Sequence, residues 1–155
     1  MGFMFRGCSS LKKLDLSKFE TNEVTNMRFM FYNCSFLTKL DLPNFDTNNV
    51  TTMVGMFYGC EKLEGLEFKD NFKTEKVTDM SYMFHGCKNL NNLILTNFKI
   101  SEISKANDMF NNCNSLQTVT FNENLDKKII EQLRNLGLTE KIKEERNKIT
   151  LKKNN

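Results

Sequence analysis

Five cysteines fall at one position of a repeating unit: Cys8, Cys34, Cys60, Cys87 and Cys113, separated by 26, 26, 27 and 26 residues. Around each of them the same phrase returns. In one copy it runs from Met27 through Met30, Phe31 and Cys34 to Leu37, Leu40, Leu42 and Phe45. A period of this size describes stacked supersecondary units rather than one core gathered from distant segments. Each unit can bury its apolar side only against its neighbours. The period therefore decides which residues meet before any local structure is considered.

Full units are read as 24–49, 50–76 and 77–102, with a partial first copy and a fifth from 103 to about 125. They open on Val24, Val50, Val77 and Ile103, and apolar residues follow 3, 6, 7, 10 and 13 positions later. Spacings of three and four predict a short helix with one apolar stripe. Thr25, Thr51, Thr78 and Ser104 offer an N-cap oxygen, with Thr21, Thr47 and Thr74 competing for that role. Gly7, Asn33, Gly59, Gly86 and Asn112 precede the cysteines. Glycine and asparagine tolerate the left-handed conformation that closes a helix.

After each cysteine comes a leucine pair with strand periodicity, such as Leu40 and Leu42, whose middle residue is left outside. Strands from successive units are expected to align as a parallel sheet at about 4.8 Å per rung. The 27-residue unit carries its extra residue within 69–71, a loop position where an insertion does least harm.

The phrase Leu-x-x-Leu-x-Leu marks the leucine-rich repeat class. Joined to Met-x-x-Met-Phe-x-Gly-Cys, it closely resembles the BspA-type (Bacteroides surface protein) leucine-rich repeat family, found also among mycoplasma surface lipoproteins and in parasitic protists. The resemblance covers residues 1 to about 122. Met-Phe occurs in all five copies, and Ala106 is the one departure at the preceding methionine position. It implies a right-handed solenoid, a cell-surface or secreted location, and a role in adhesion or partner binding. The expected fold is thus α/β: a right-handed leucine-rich-repeat solenoid with a parallel sheet on one face, short helices on the other, and a helical C-terminal cap.

The chain divides into a repeat body, 1–125, and a capping segment with a basic tail, 126–155. Residues 126–136 predict a helix with Ile129, Ile130, Leu133 and Leu136 on one side and Gly137 as its stop. A second, charged helix is expected from 139 to about 148, then strand character at Ile149, Thr150 and Leu151. Lys152, Lys153, Asn154 and Asn155 are expected to fray. The tail holds 9 Lys/Arg against 5 Asp/Glu, whereas the body holds 13 against 14. A neutral body does not carry the one-signed footprint of a nucleic-acid binder. No apolar run reaches the roughly 18–20 residues that span a bilayer. The first residues lack the basic start, apolar stretch and cleavage site of a signal peptide, so a cytoplasmic location stays open beside the surface one. Because the chain opens inside a repeat, it is expected to be a fragment, or to expose an uncapped apolar end that associates end to end.

Candidate chemistry is sparse. Five cysteines cannot all pair internally, and a separation of 26 residues is unlike a zinc knuckle, so the row Cys8, Cys34, Cys60, Cys87, Cys113 reads as core filler. His85, the one histidine, sits in a slot filled elsewhere by Arg6, Tyr32, Tyr58 and Asn111, which reads as exposed and not as a partner for Cys87. No metal, cofactor or catalytic set is expected. The middle strand residues Asp15, Asp41, Glu67, Ile94 and Thr120 are the candidates for a binding face. Lys13, Lys39, Gly65, Asn92 and Thr118 flank them on one side, and Ser17, Pro43, Lys69, Thr96 and Asn122 on the other. The expectation is a non-enzymatic module that presents this face to a host or matrix protein, with an intracellular scaffold, or a part of a larger repeat protein, as the alternative.

Overall fold

A computed structural model describes residues 1–100, 103–122, 125–144 and 148–153. Its elements are strands β1 (Lys39–Leu42), β2 (Gly65–Phe68), β3 (Asn92–Leu95) and β4 (Thr118–Asn122), helix α1 (Lys127–Asn135), and strands β5 (Leu138–Glu144) and β6 (Lys148–Lys153). The first four strands are the leucine-pair segments. Their alternation puts Leu40, Leu42, Leu93, Leu95, Val119 and Phe121 inside.

They do not make one sheet. β1 and β2 pair in parallel, with Leu40 opposite Leu66, and β3 and β4 pair in parallel in a second sheet, with Leu93 opposite Val119. The break between β2 and β3 coincides with the one unit that carries an extra residue, just after β2. There the Phe68 ring packs 4.5 Å from Phe72 and 4.9 Å from Phe98.

The side expected to hold helices holds turns. The N–H groups of Met27, Phe29, Phe31 and Asn33 leave their own unit and reach the carbonyls of Thr52, Val54, Met56 and Tyr58 at 2.7–3.1 Å. The alternate residues Met30, Tyr32 and Cys34 donate to Met27, Phe29 and Phe31, three residues back, at 3.1–3.3 Å. A helix would send each N–H to the fourth residue back and none outside. Phe29 (φ 52°) and Asn33 (φ 55°) are left-handed, each at the third place of a four-residue turn, as a type II turn requires. Gly55 and Gly59 repeat this one unit later, with φ of 55° and 69°. The expected right-handed, helix-faced leucine-rich-repeat solenoid with a helical cap is therefore corrected. Among the described residues the protein is six strands in two sheets, one parallel and one mixed, with a single short helix. Overlapping turns bring residues three apart together just as a helical stripe does, and that is why the spacing misled.

With no helix to cap, the threonines serve otherwise. Thr21 and Thr47 are buried and give their hydroxyls to the carbonyls of Asp46 and Lys73, at 2.9 and 2.5 Å, one unit on. Thr74 Oγ1 accepts the Lys99 N–H at 2.8 Å. The core is a set of columns. Phe5, Phe31, Phe57, Phe84 and Phe110 stack face to face at 5.4–5.7 Å between centroids.

Helix α1 forms where its stripe and stop place it. Asp126 accepts the Lys128 N–H at 2.7 Å, Gly137 (φ 84°) follows the helix, and Ile129 and Leu133 are buried. The charged stretch after it is strand β5, not a second helix. β5 pairs antiparallel with β6, and β6 pairs antiparallel with β4, with Leu151 opposite Val119 and Ile149 opposite Phe121. β4 leaves a free edge whose backbone groups need partners, and β6 supplies them. Lys152 and Lys153, expected to fray, belong to β6. Residues 145–147, Asn154 and Asn155 lie outside the described residues.

Candidate functional site

Parallel register sets the geometry of the outer strand face. Asp41 lies directly opposite Glu67, Lys39 opposite Gly65, Asn92 opposite Thr118 and Ile94 opposite Thr120. Lys39, Asp41, Glu67, Asn92 and Ile94 are exposed, Ile94 to 64%. Lys69, just past β2, donates to Glu67 Oε2 at 2.7 Å. That hydrogen bond and its charge hold the Glu67 carboxyl below its ordinary range and raise the Lys69 ammonium. Thr118 donates to Asn92 Oδ1 at 2.7 Å, and the Thr120 and Thr150 hydroxyls share a hydrogen bond of 2.7 Å, which ties this column to β6.

Lys13, Asp15 and Ser17 lie in the equivalent segment of the first unit, which has no regular strand. The Ser17 N–H and hydroxyl hold the Asp15 carboxyl below its ordinary value, the N–H bond measuring 2.9 Å. The Asn44 amide donates to the Ser17 carbonyl at 2.6 Å and links this segment to the next unit.

The cysteines form the expected row with one exception. Cys34, Cys60, Cys87 and Cys113 are buried with free thiols, whereas Cys8 is exposed, since no unit covers it. Each buried thiol donates to the carbonyl of the phenylalanine one unit earlier: Phe5, Phe31, Phe57 and Phe84, at 3.0–3.2 Å. The same carbonyls take the N–H of their own unit's cysteine at 3.1 Å. Burial, reinforced by the neighbouring thiol, pushes the Cys34 thiol up to about 11, and burial pushes Cys113 up to about 12. Cys60 and Cys87 are raised for the same reasons.

One column escaped the sequence reading. The slot expected to be exposed is so at Arg6 and Asn111, but between them it holds half-buried stacked rings: Tyr32 on Tyr58 at 4.9 Å and Tyr58 on His85 at 4.5 Å, with the Arg6 guanidinium 5.2 Å from the Tyr32 ring centre. The signal was present, since four of its five occupants are planar groups one rung apart. His85 Nδ1 is buried without a hydrogen-bond partner, and the Cys87 thiol is turned to Phe57. Among the described residues no group of three or more His, Cys, Asp or Glu is arranged to hold a metal ion, and no helix is long and apolar enough to cross a membrane.

Units that exchange hydrogen bonds rung by rung, closed at one end by a helix and an antiparallel strand pair, define a repeat protein built of turns and short strands. Over residues 35–139, more than half its length, the chain matches the family described as Mycoplasma protein of unknown function, DUF285, and it belongs to that family. No curated protein and no solved structure matches it.

Proposed function

We propose that this chain is a non-enzymatic protein-binding module of the BspA-like kind, displayed at the cell surface or secreted, with the outer strand face as its contact surface. The observation that carries the proposal is the pair Asp41 and Glu67, two exposed carboxylates directly opposite each other in β1 and β2. Like charges in facing positions weaken a sheet. Both carboxylates are exposed, which leaves them open to a partner's groups. Lys39, Lys69 and the exposed Ile94 complete a face of mixed charge with an apolar anchor.

Binding of the whole chain to a panel of purified extracellular-matrix proteins tests this. The Asp15→Asn, Asp41→Asn, Glu67→Gln triple variant is expected to bind about tenfold or more weakly, without a fall in melting temperature. Unaltered capture by the triple variant removes this face as the site, and no capture by any matrix protein removes the adhesion reading. A second reading, an intracellular scaffold, is favoured by the five unpaired thiols, which suit a reducing compartment. Protease shaving of intact source cells separates the two, because only a surface-displayed chain releases peptides before lysis.

A further inference from the structure

Helix α1 carries two stripes. Ile129 and Leu133 are buried, whereas Lys128, Glu131, Gln132 and Asn135 recur at helical spacing on another side and face the turns of the last two units. Gln132 fixes that approach: its Oε1 accepts the Phe110 N–H at 3.3 Å, and its Nε2 donates to the Ala106 carbonyl at 2.7 Å. Between helix and turns lies an open cleft in two parts that share Asp108, Gln132 and Asn135. The larger part holds about 430 Å³ and the smaller about 200 Å³, on the scale of the ~300–1,000 Å³ of small-molecule sites.

The turn side changes its chemistry at this cleft. The slot that holds Phe29 and Tyr82 in earlier units holds Asp108 here, and the slot of Tyr32, Tyr58 and His85 holds Asn111. The aromatic columns thus end on Tyr82, 37% exposed at the cleft's wall, with a carboxylate and an amide following it. The side chains of Asp108, Asn111, Glu131 and Asn135 are exposed, and among the described residues none of them has a hydrogen-bond or ion-pair partner.

We infer that this cleft is a binding site for a neutral saccharide. An amide both donates and accepts, as a sugar hydroxyl does, and a carboxylate accepts from hydroxyls. The exposed Tyr82 ring offers a flat apolar face to the C–H side of a pyranose. Other ligand classes fit less well. Asp108 and Glu131 outnumber Lys128 and disfavour an anion. Leu136 is the one aliphatic side chain among the described lining residues, too little for an apolar ligand. No third His, Cys, Asp or Glu among the described residues joins the two carboxylates to hold a metal ion. Because α1 is anchored by Gln132, the polar groups are in place before the sugar arrives. The cleft lies on the turn side, so this inference is independent of the strand-face reading above.

The test titrates the full isotope-labelled chain with two sets of neutral oligosaccharides, followed by nuclear magnetic resonance. One set is cut from glucose- and galactose-built polysaccharides, and the other is released from extracellular glycoproteins. At least one member is expected to bind and to shift the side-chain amide signals of Asn111 and Asn135. The set it comes from tells a free polysaccharide from a protein-borne glycan. Tyr82→Ala and Asn111→Ala should each weaken that binding about tenfold or more, and Asn111→Ala keeps the test open if the tyrosine variant does not fold. No shift from either set near its solubility limit overturns the inference. So does binding that both variants leave unaltered, or a preference for charged oligosaccharides over their neutral counterparts.

Discussion

Phe5 and Phe110 hold the same slot of the repeat at opposite ends of the stack, and their surroundings have little in common. Phe110 is buried, and so are Met109, Cys113 and Val119 around it. At the other end Phe5 and Leu14 are half-buried, Cys8 is exposed, and Met4 and Phe3 are 49% and 43% exposed. What differs is the next layer. Ile129 and Leu133 of α1 join the core beyond the last unit, and Ile149 and Leu151 of β6 are buried along β4. Beyond residues 1–24 the described structure has nothing equivalent. Burial here belongs to the contact between units rather than to the residue, so one side chain at two positions contributes unequally to stability.

The sharpest way to break that comparison is to delete the same ring twice. Phe57 stacks on both neighbours, at 5.6 Å from Phe31 and 5.7 Å from Phe84. Phe57→Ala is expected to cost about 3–5 kcal/mol in urea unfolding, as for a filled core site. Phe5→Ala removes a half-covered ring and should cost about 1–2 kcal/mol. Equal losses would show that the open end is covered as well as the middle of the stack.

The cap supplies the next test. Leu133→Ala empties a buried site under α1 and is expected to cost about 2–4 kcal/mol. Leu14→Ala, at the open end, should cost less than half of that. A Leu133 variant as stable as the parent would make α1 an appendage rather than part of the core.

The smallest effect is in the thiols. At neutral pH Cys8 should be modified at once by a thiol reagent, and the other four only after denaturation. The folded values of Cys34, about 11, and Cys113, about 12, lie above the ordinary 9.0. Between these limits the folded chain keeps protons that the unfolded chain gives up. Stability from this source is complete below about pH 9 and is lost as pH rises toward 11–12. The unfolding free energy should therefore fall between pH 8.5 and about pH 10.5, and less steeply in Cys113→Ala. A flat profile in the parent would contradict burial of the row.

Much of the candidate site was legible because a strand with one buried face alternates strictly. Reading Leu40 and Leu42 as inward places Asp41 outward, and the period then sets it opposite Glu67. The stacked Tyr32, Tyr58 and His85 rings are not readily legible in the sequence, because chemical variety in a slot suggests exposure, although planar groups of different chemistry stack equally well at a rung's spacing. The break between β2 and β3 is not legible either, since an inserted loop residue does not by itself say whether the strands before and after it share one ladder.

Sequence by itself determined which residues face inward, the partners they meet one unit away, the left-handed positions before the cysteines, and the limits of α1. Periodicity and residue type carry all of these, because stacking identical units turns a spacing in the chain into a contact in space. Only the tertiary structure decided between helix and turn. Each Met-Phe segment can satisfy its N–H groups four residues back, or alternately three residues back and across to the next unit, and the apolar spacing serves both. The neighbouring unit's carbonyls settle the choice, and no single repeat contains them. The charged segment after α1 follows the same rule: alone it reads as a helix, and the free edge of β4 with β6 laid along it makes it a strand.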